Sequence, residues 1–149
     1  MPQTSAGILA YRFAPDLEVF LGHMGGPFWS RKDAAAWSIP KGLFTDELAL
    51  DAARREFVEE VGTEPPASVT LLGDFRYSNK VLTVFAGEGD LEFVESNMFE
   101  IEWPPASGRM QSFAEIDRAG WFSIDEARVK LVKGQVPMLD ALVAATVEP

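Results

Sequence analysis

Residues 55–62, Arg-Glu-Phe-Val-Glu-Glu-Val-Gly, constrain this chain more than any other stretch. On a helix turning roughly 100° per residue, Glu56, Glu59 and Glu60 fall within about 100° of arc, at spacings of i, i+3 and i+4. Their β-carbons then stand about 5–6 Å apart and the carboxylates repel. In open water the repulsion is small, and a glutamate run taken alone is usually a solvated helix face. Beside a buried surface the cost grows: at an effective dielectric near 20, two charges about 6 Å apart repel by on the order of 2–3 kcal/mol. Leu50, Ala53, Phe57 and Val61 supply such a surface, an i, i+3, i+7, i+11 stripe expected to face the core. The carboxylate arc borders that stripe. A hard divalent cation with oxygen ligands offsets the repulsion, so Glu56, Glu59 and Glu60 read as metal ligands. The chain has no Cys and one His, His23, which leaves no thiolate or multi-histidine zinc site. Oxygen-only ligands point to Mg²⁺ or Mn²⁺.

The helix has readable limits. Thr45 is the expected N-cap, with Asp46 and Glu47 as an acidic first turn that favours the helix dipole. Gly62 is the expected left-handed cap, and Pro65-Pro66 forbid continuation.

The wider segment, WSIPKGLFTDELALDAARREFVEEVGTEPP, resembles the signature of the Nudix hydrolases, G-x5-E-x7-R-E-U-x-E-E-x-G-U, where U is bulky and apolar. Gly42 matches the opening glycine and Glu47 the first glutamate. Arg55 and Glu56 match the Arg-Glu pair, Phe57 the apolar position, Glu59 and Glu60 the Glu-Glu pair, and Gly62 the closing glycine. Two positions depart from the pattern: four residues, Leu43 to Asp46, separate Gly42 from Glu47 instead of five, and Thr63 replaces the last apolar residue. The likeness is specific over residues 37–63 and loose elsewhere. It implies an α/β/α sandwich with a mixed β-sheet, and water cleaving a diphosphate linked to another group, commonly in a nucleoside compound. It implies that Glu56, Glu59 and Glu60 hold metal and that Arg55 fixes the motif loop through ion pairs. Some relatives carry a further glutamate, outside the signature, that ligates metal or activates water. Glu115, in SFAEIDRAGWF, stands in a comparable place, although an exposed loop glutamate is its plainer reading. Glu100 and Glu102 are weaker candidates.

With 149 residues and 47% hydrophobic content, residues 1–149 suit a single domain with a sizeable core. No basic leader or 18-residue apolar stretch is evident, so a soluble, cytoplasmic protein is expected. A net charge of −10 argues against sequence-independent nucleic-acid binding. A homodimer is the default assembly, as the commonest closed one. Strands are expected at 5–13, 17–22, 69–77, 81–86, 98–103 and 120–123, and helices at 124–133 and 137–147. Ser123 or Asp125 is the expected start of the former helix. The loop HMGGPFWSRKDAAAW is long enough to be functional or mobile. His23, at a strand end, reads as structural.

Substrate phosphates need cations. Lys41 and Gly42, at the head of the motif, with Arg31 and Arg76 on loops or strand ends, are the expected substrate-binding residues; Lys32, Lys80 and Arg109 are further cations in such places. Phe28, Trp29 and Tyr77 could stack on a base, although most aromatics in such a chain belong to the core. Three functions follow: a Mg²⁺-dependent hydrolase of nucleoside triphosphates, nucleotide sugars or dinucleoside polyphosphates; a non-catalytic nucleotide-sensing domain; or a diphosphate-ester isomerase, which would want a Cys that is absent. The stretch FWSRKDAAAWSIPKG, similar to predicted triphosphate pyrophosphohydrolases, tilts the first towards triphosphates.

Overall fold

Ala6-Gly7-Ile8-Leu9-Ala10 is apolar without alternation, the pattern of a strand covered on both faces. The computed structural model, which describes residues 2–146, puts it at the centre of the fold. Strand β1 (Gln3–Phe13) turns back into β2 (Leu17–Met24), and β3 (Trp37–Ser38) and β4 (Lys41–Leu43) lead into helix α1 (Ala49–Val61). Strands β5 (Thr70–Tyr77) and β6 (Lys80–Glu88) follow as a hairpin, then β7 (Met98–Glu102), β8 (Met110–Ala114) and β9 (Ile116–Ser123), and finally helices α2 (Ile124–Lys130) and α3 (Pro137–Thr146). The main sheet has seven strands: β3-β2-β1-β6-β5 in order, with β4 also on β1 and β9 also on β2. Among the described residues only the β1–β6 strand pair is parallel, so the sheet is mixed. β7 and β8 form a separate two-stranded ribbon.

Side chains divide by strand parity. From β1 and β2, Ala6, Ile8, Ala10 and Phe20 face Ala52, Ala53, Phe57 and Val61 of α1. Leu9, Val19 and Leu21 face the opposite way, into the layer built with Ala127, Leu131, Met138, Leu139 and Leu142. Helices on both faces complete the expected α/β/α sandwich. Phe57 lies fully buried against Phe20, with ring centroids 6.4 Å apart.

Several boundaries differ from expectation. Helix α1 begins at Ala49, with Leu48 at the N-cap position and no side-chain cap, so Thr45 does not cap it and Asp46 and Glu47 precede it. Lying off the helix lets Glu47 reach back to Arg55. Leu50 is only half-buried, and Ala52 takes a place in the core that the stripe did not assign to it. β8 was not expected, and β9 starts four residues before Gly120. Helix α2 stops at Lys130, not 133, because Leu131 turns extended to bridge Trp37, and Val132 donates its N–H to the Trp37 carbonyl at 2.9 Å. Ser123 is the α2 N-cap, in a capping box with Glu126. The Ser78–Asn79 turn has positive φ at both residues, as a two-residue hairpin needs, and Lys80 therefore opens β6. Val147, the expected last residue of α3, lies outside the described residues. Among the described residues no helix is long and apolar enough to cross a membrane.

Candidate active site

Helix α1 ends where expected. Gly62 takes φ 79° and ψ 12°, a left-handed cap that a side chain would strain, and donates its N–H to the Val58 carbonyl. Helix ends leave carbonyls without partners. Here residues 94–97 supply them: the N–H groups of Val94 and Glu95 reach the Val61 carbonyl, and that of Asn97 reaches Glu59 at 2.8 Å. The carboxylate half of α1 is thereby held from outside as well as within.

Arg55 gathers the outer acids. Its guanidinium donates to Glu47 at 2.6 and 2.9 Å, to Glu56 at 2.9 Å and to Glu59 at 3.2 Å. Arg55 thus pairs with Glu47 of the motif loop, despite the shortened spacing from Gly42. Glu47 is held below the usual carboxylate range by these hydrogen bonds, and Arg55 is raised by them. Among the described residues, no three acidic side chains as they stand make a ready metal shell. Arg55 draws Glu56 and Glu59 to itself, so the three helix acids share a cleft without closing on one point.

The inner acids are in a different setting. Glu60 is buried, and among the described residues its one hydrogen-bond donor is the Lys41 backbone N–H at 3.3 Å. Burial first, and the nearby Glu56 charge second, push its carboxyl up to about 8. Burial and then the Glu59 charge also raise Glu56. Glu56 lies flat against the chain at Gly42: a β-carbon there would fall 2.0 Å from the Glu56 carboxyl carbon. That close approach is the physical reason for glycine at the head of the motif.

These groups line a cleft of about 490 Å³ whose walls are Gln3, Ser5, Lys41, Gly42, Leu43, Glu56, Glu59, Glu60, Lys80, Asn97 and Glu115. A small adjoining cavity of about 90 Å³ runs from Glu60 and Glu115 towards Met24 and Ser38. The structure therefore brings Glu115, the joint between β8 and β9, to the signature glutamates from 55 residues away in sequence. Lys41 and Gly42 are there as expected. Arg31 and Arg76 are not: Arg31 is exposed in the loop after β2, and Arg76 projects to solvent from β5. Lys80, Gln3, Ser5 and Asn97 went unassigned or undistinguished in sequence. Lys80 and Gln3 meet because β1 and β6 pair in parallel register, which no local pattern announces. None of the stacking candidates lines the cleft: Trp29 and Tyr77 pack against the α3-side core, and Phe28 sits edge-on to Trp103 at 5.3 Å.

The loop after β2 is tied down. His23 is fully buried, its Nδ1 2.8 Å from Asp117 and its Nε2 2.7 Å from the Lys32 carbonyl, which bears out a structural role. Trp37 donates its indole N–H to Asp33 at 2.9 Å, and Ala35 and Ala36 donate to the carbonyls of Val129 and Lys130. Buried Gln135 fixes the approach to the motif, accepting from the Ile39 N–H at 3.1 Å and donating to Ser38 at 2.9 Å.

Comparison with known proteins fits this geometry. A family model described as NUDIX domain matches residues 1–142. The uncharacterized 17.7 kDa protein in the e-segB intergenic region of Enterobacteria phage T4 is 41% identical over 90 residues, which are 57% of this chain and 58% of that protein. The chain therefore spans little more than half of that relative's length. Among solved structures, the NUDIX domain of Shewanella oneidensis NrtR complexed with ADP ribose superposes with a TM-score of 0.68 at 13% identity, covering 97% of this chain and 88% of that one. A C. elegans Ap4A hydrolase in a binary complex gives 0.63 at 19% identity, covering 96% and 98%. A NUDIX hydrolase from Nitrosomonas europaea gives 0.62 at 19%, covering 97% and 90%. At these identities the likeness is one of fold.

Proposed function

The chain belongs to the Nudix family, and from that premise we propose that it is a Mg²⁺- or Mn²⁺-dependent hydrolase that cleaves a pyrophosphate linkage in a nucleoside diphosphate-X compound. One observation carries this reading: Glu56, Glu59, Glu60 and Glu115 converge on one cleft that Lys41 and Lys80 also line. The donor set fits a hard divalent ion, since every titratable acid in the cleft offers carboxylate oxygen. Glu60 supports the fit independently, because a buried carboxylate beside another acid is costly to ionise without a cation. Glu56, Glu59 and Glu60 would hold the ion. When bound, it polarises phosphoryl oxygens and neutralises the charge that develops on them.

The chain's own groups supply the rest. Lys41 and Lys80 attract the phosphate oxygens and orient the anhydride along the cleft. Glu115 accepts a proton from a water as its oxygen attacks phosphorus. The bridging P–O bond breaks, and its oxygen leaves with the other half of the substrate. Arg55, tied to Glu47, limits the freedom of Glu56 and Glu59. The Glu47–Arg55 pair also weighs against the sensing-domain alternative, which drew on the shortened loop.

Nucleoside triphosphates, nucleotide sugars and dinucleoside polyphosphates are the candidate substrates. ADP ribose and Ap4A, named with two structural neighbours, join the test panel. Purified protein with Mg²⁺ should release phosphate-containing products from at least one member, and EDTA should stop it. Folded, metal-loaded protein that turns over none of them would overturn the proposal.

A further inference from the structure

Glu115 is a single residue between two strands of different sheets: β8 belongs to the ribbon and β9 to the main sheet. A residue at such a joint has no ladder of its own, yet its own peptide N–H and carbonyl are both held. The Glu115 N–H donates to the Asn97 carbonyl at 2.9 Å, and its carbonyl accepts from the Gly25 N–H at 2.9 Å. The next N–H, of Ile116, donates to Ser96 Oγ at 3.0 Å. Asn97 in turn donates to the Glu59 carbonyl on α1 at 2.8 Å. A series of peptide hydrogen bonds thus runs from Gly25 through Glu115 and Asn97 to Glu59.

We infer that Gly25 and Ser96 are positioning residues for Glu115, setting its carboxylate in register with the helix glutamates. The inference rests on the hydrolase reading of the cleft. Gly25 is suited to this place by the lack of a side chain. A β-carbon there would stand 1.8 Å from the Ala114 carbonyl oxygen and 3.3 Å from that of Glu115. Both obstacles are backbone, so Gly25→Ala must displace the β8–β9 joint. Ser96 acts from the other side and is a milder probe, since Ser96→Ala removes the acceptor for the Ile116 N–H and the hydroxyl's donation to Asn97, and adds no bulk. The register between β2 and β9 shifts between His23 and Met24, so the chain leaves regular pairing just before Gly25. The local geometry at Glu115 therefore depends on these few bonds, with ladder pairing resuming at Ala114 and Ile116 on either side.

The test uses the full chain and a substrate that the panel shows to be hydrolysed. Gly25→Ala should lower kcat about 100-fold and Ser96→Ala about tenfold, both with KM little changed, as misplacement of one reacting group does. Mn²⁺ affinity, read by spin-resonance titration, should stay at the wild-type value in both, because the helix carboxylates are untouched. Gly120→Ala, also on β9, meets only Phe122 at 4.0 Å and should leave turnover unchanged. In a Glu115→Gln background, Ser96→Ala should cause no further loss, since it acts only through that carboxylate. Equal losses from Ser96→Ala in both backgrounds, a raised KM in place of a lowered kcat, or a fall in Mn²⁺ affinity would overturn the inference while leaving the hydrolase reading intact. Should Gly25→Ala fail to fold, the Ser96 cycle decides alone. Wild-type turnover in Glu115→Gln would remove the assigned role of Glu115 and the inference with it.

Discussion

The outer and inner acids of the same motif lie a few residues apart and are stabilised in opposite ways. Glu47 and Glu59, on the outside, are hydrogen-bonded to one guanidinium. Glu56 and Glu60, on the inside, are pressed against the body of the protein, and burial raises both. Glu56 spans the two, since Arg55 also reaches it. The outer pairs maintain the shape of the motif with the chain's own charge. Burial opposes ionisation of the inner pair, and this is the physical demand a bound cation meets. The difference separates residues that build the site from residues that work in it.

Substitutions should break the comparison along that line. Glu60→Gln and Glu56→Gln should each reduce turnover by on the order of 10³-fold, comparable to deleting a major charge-stabilising group. At neutral or alkaline pH, Glu60→Gln should also raise the melting temperature of the metal-free protein, because it removes the cost of keeping that carboxyl protonated on folding or, at alkaline pH, of burying its charge. Inactivation combined with stabilisation is the mark of an inner acid; thermal melts beside initial rates check it. Arg55→Ala, on the outer side, should cost about 10–100-fold in kcat, the usual effect of losing a group that orients ligands. Arg55→Lys should recover only part of this, because an ammonium cannot bridge Glu47 bidentately while reaching two further acids. Gly42→Ala should displace the Glu56 carboxylate by its own close contact and lower activity more than stability.

The two groups should also answer pH with opposite signs. Glu47 is depressed by Arg55, so its contribution to stability is present above the ordinary carboxylate range and is lost as pH falls through its folded value. Glu60 is raised to about 8. Between its unfolded range and about 8, the folded protein keeps a proton that the unfolded chain has lost, so stability falls as pH rises. The metal-free melting temperature should therefore decline from mildly acidic to mildly alkaline pH, with a smaller slope in Glu60→Gln. Mg²⁺ should stabilise the wild type most at the alkaline end.

Much of the outer architecture was legible because its causes are local. The α1 stripe, the Gly62 cap, the β1–β2 turn and the Ser78–Asn79 hairpin each follow from periodicity or turn chemistry within a short window. β8 escaped because Met110, Gln111 and Ser112 are exposed and the strand is defined only by pairing with β7. Helix α1 starts late because Glu47 answers to Arg55, eight residues on, and not to the helix N-terminus. The motif named the helix acids, while the opposite wall of the cleft depended on distance in sequence. Gln3, Lys80, Asn97 and the backbone setting of Glu115 arrive through strand pairing and peptide contacts that carry no residue-type signal. Arg31 and Arg76 had suitable chemistry on suitable loops, but the fold points them elsewhere.

The most direct measurement is a calorimetric titration of the metal-free protein with Mg²⁺ near pH 7, repeated in buffers of different ionisation enthalpy. Glu60 is raised to about 8, so it is mostly protonated at that pH, and the account predicts saturable binding that expels close to one proton, an expulsion lost in Glu60→Gln. Absence of saturable binding, or binding with no proton released from the wild type, would contradict it.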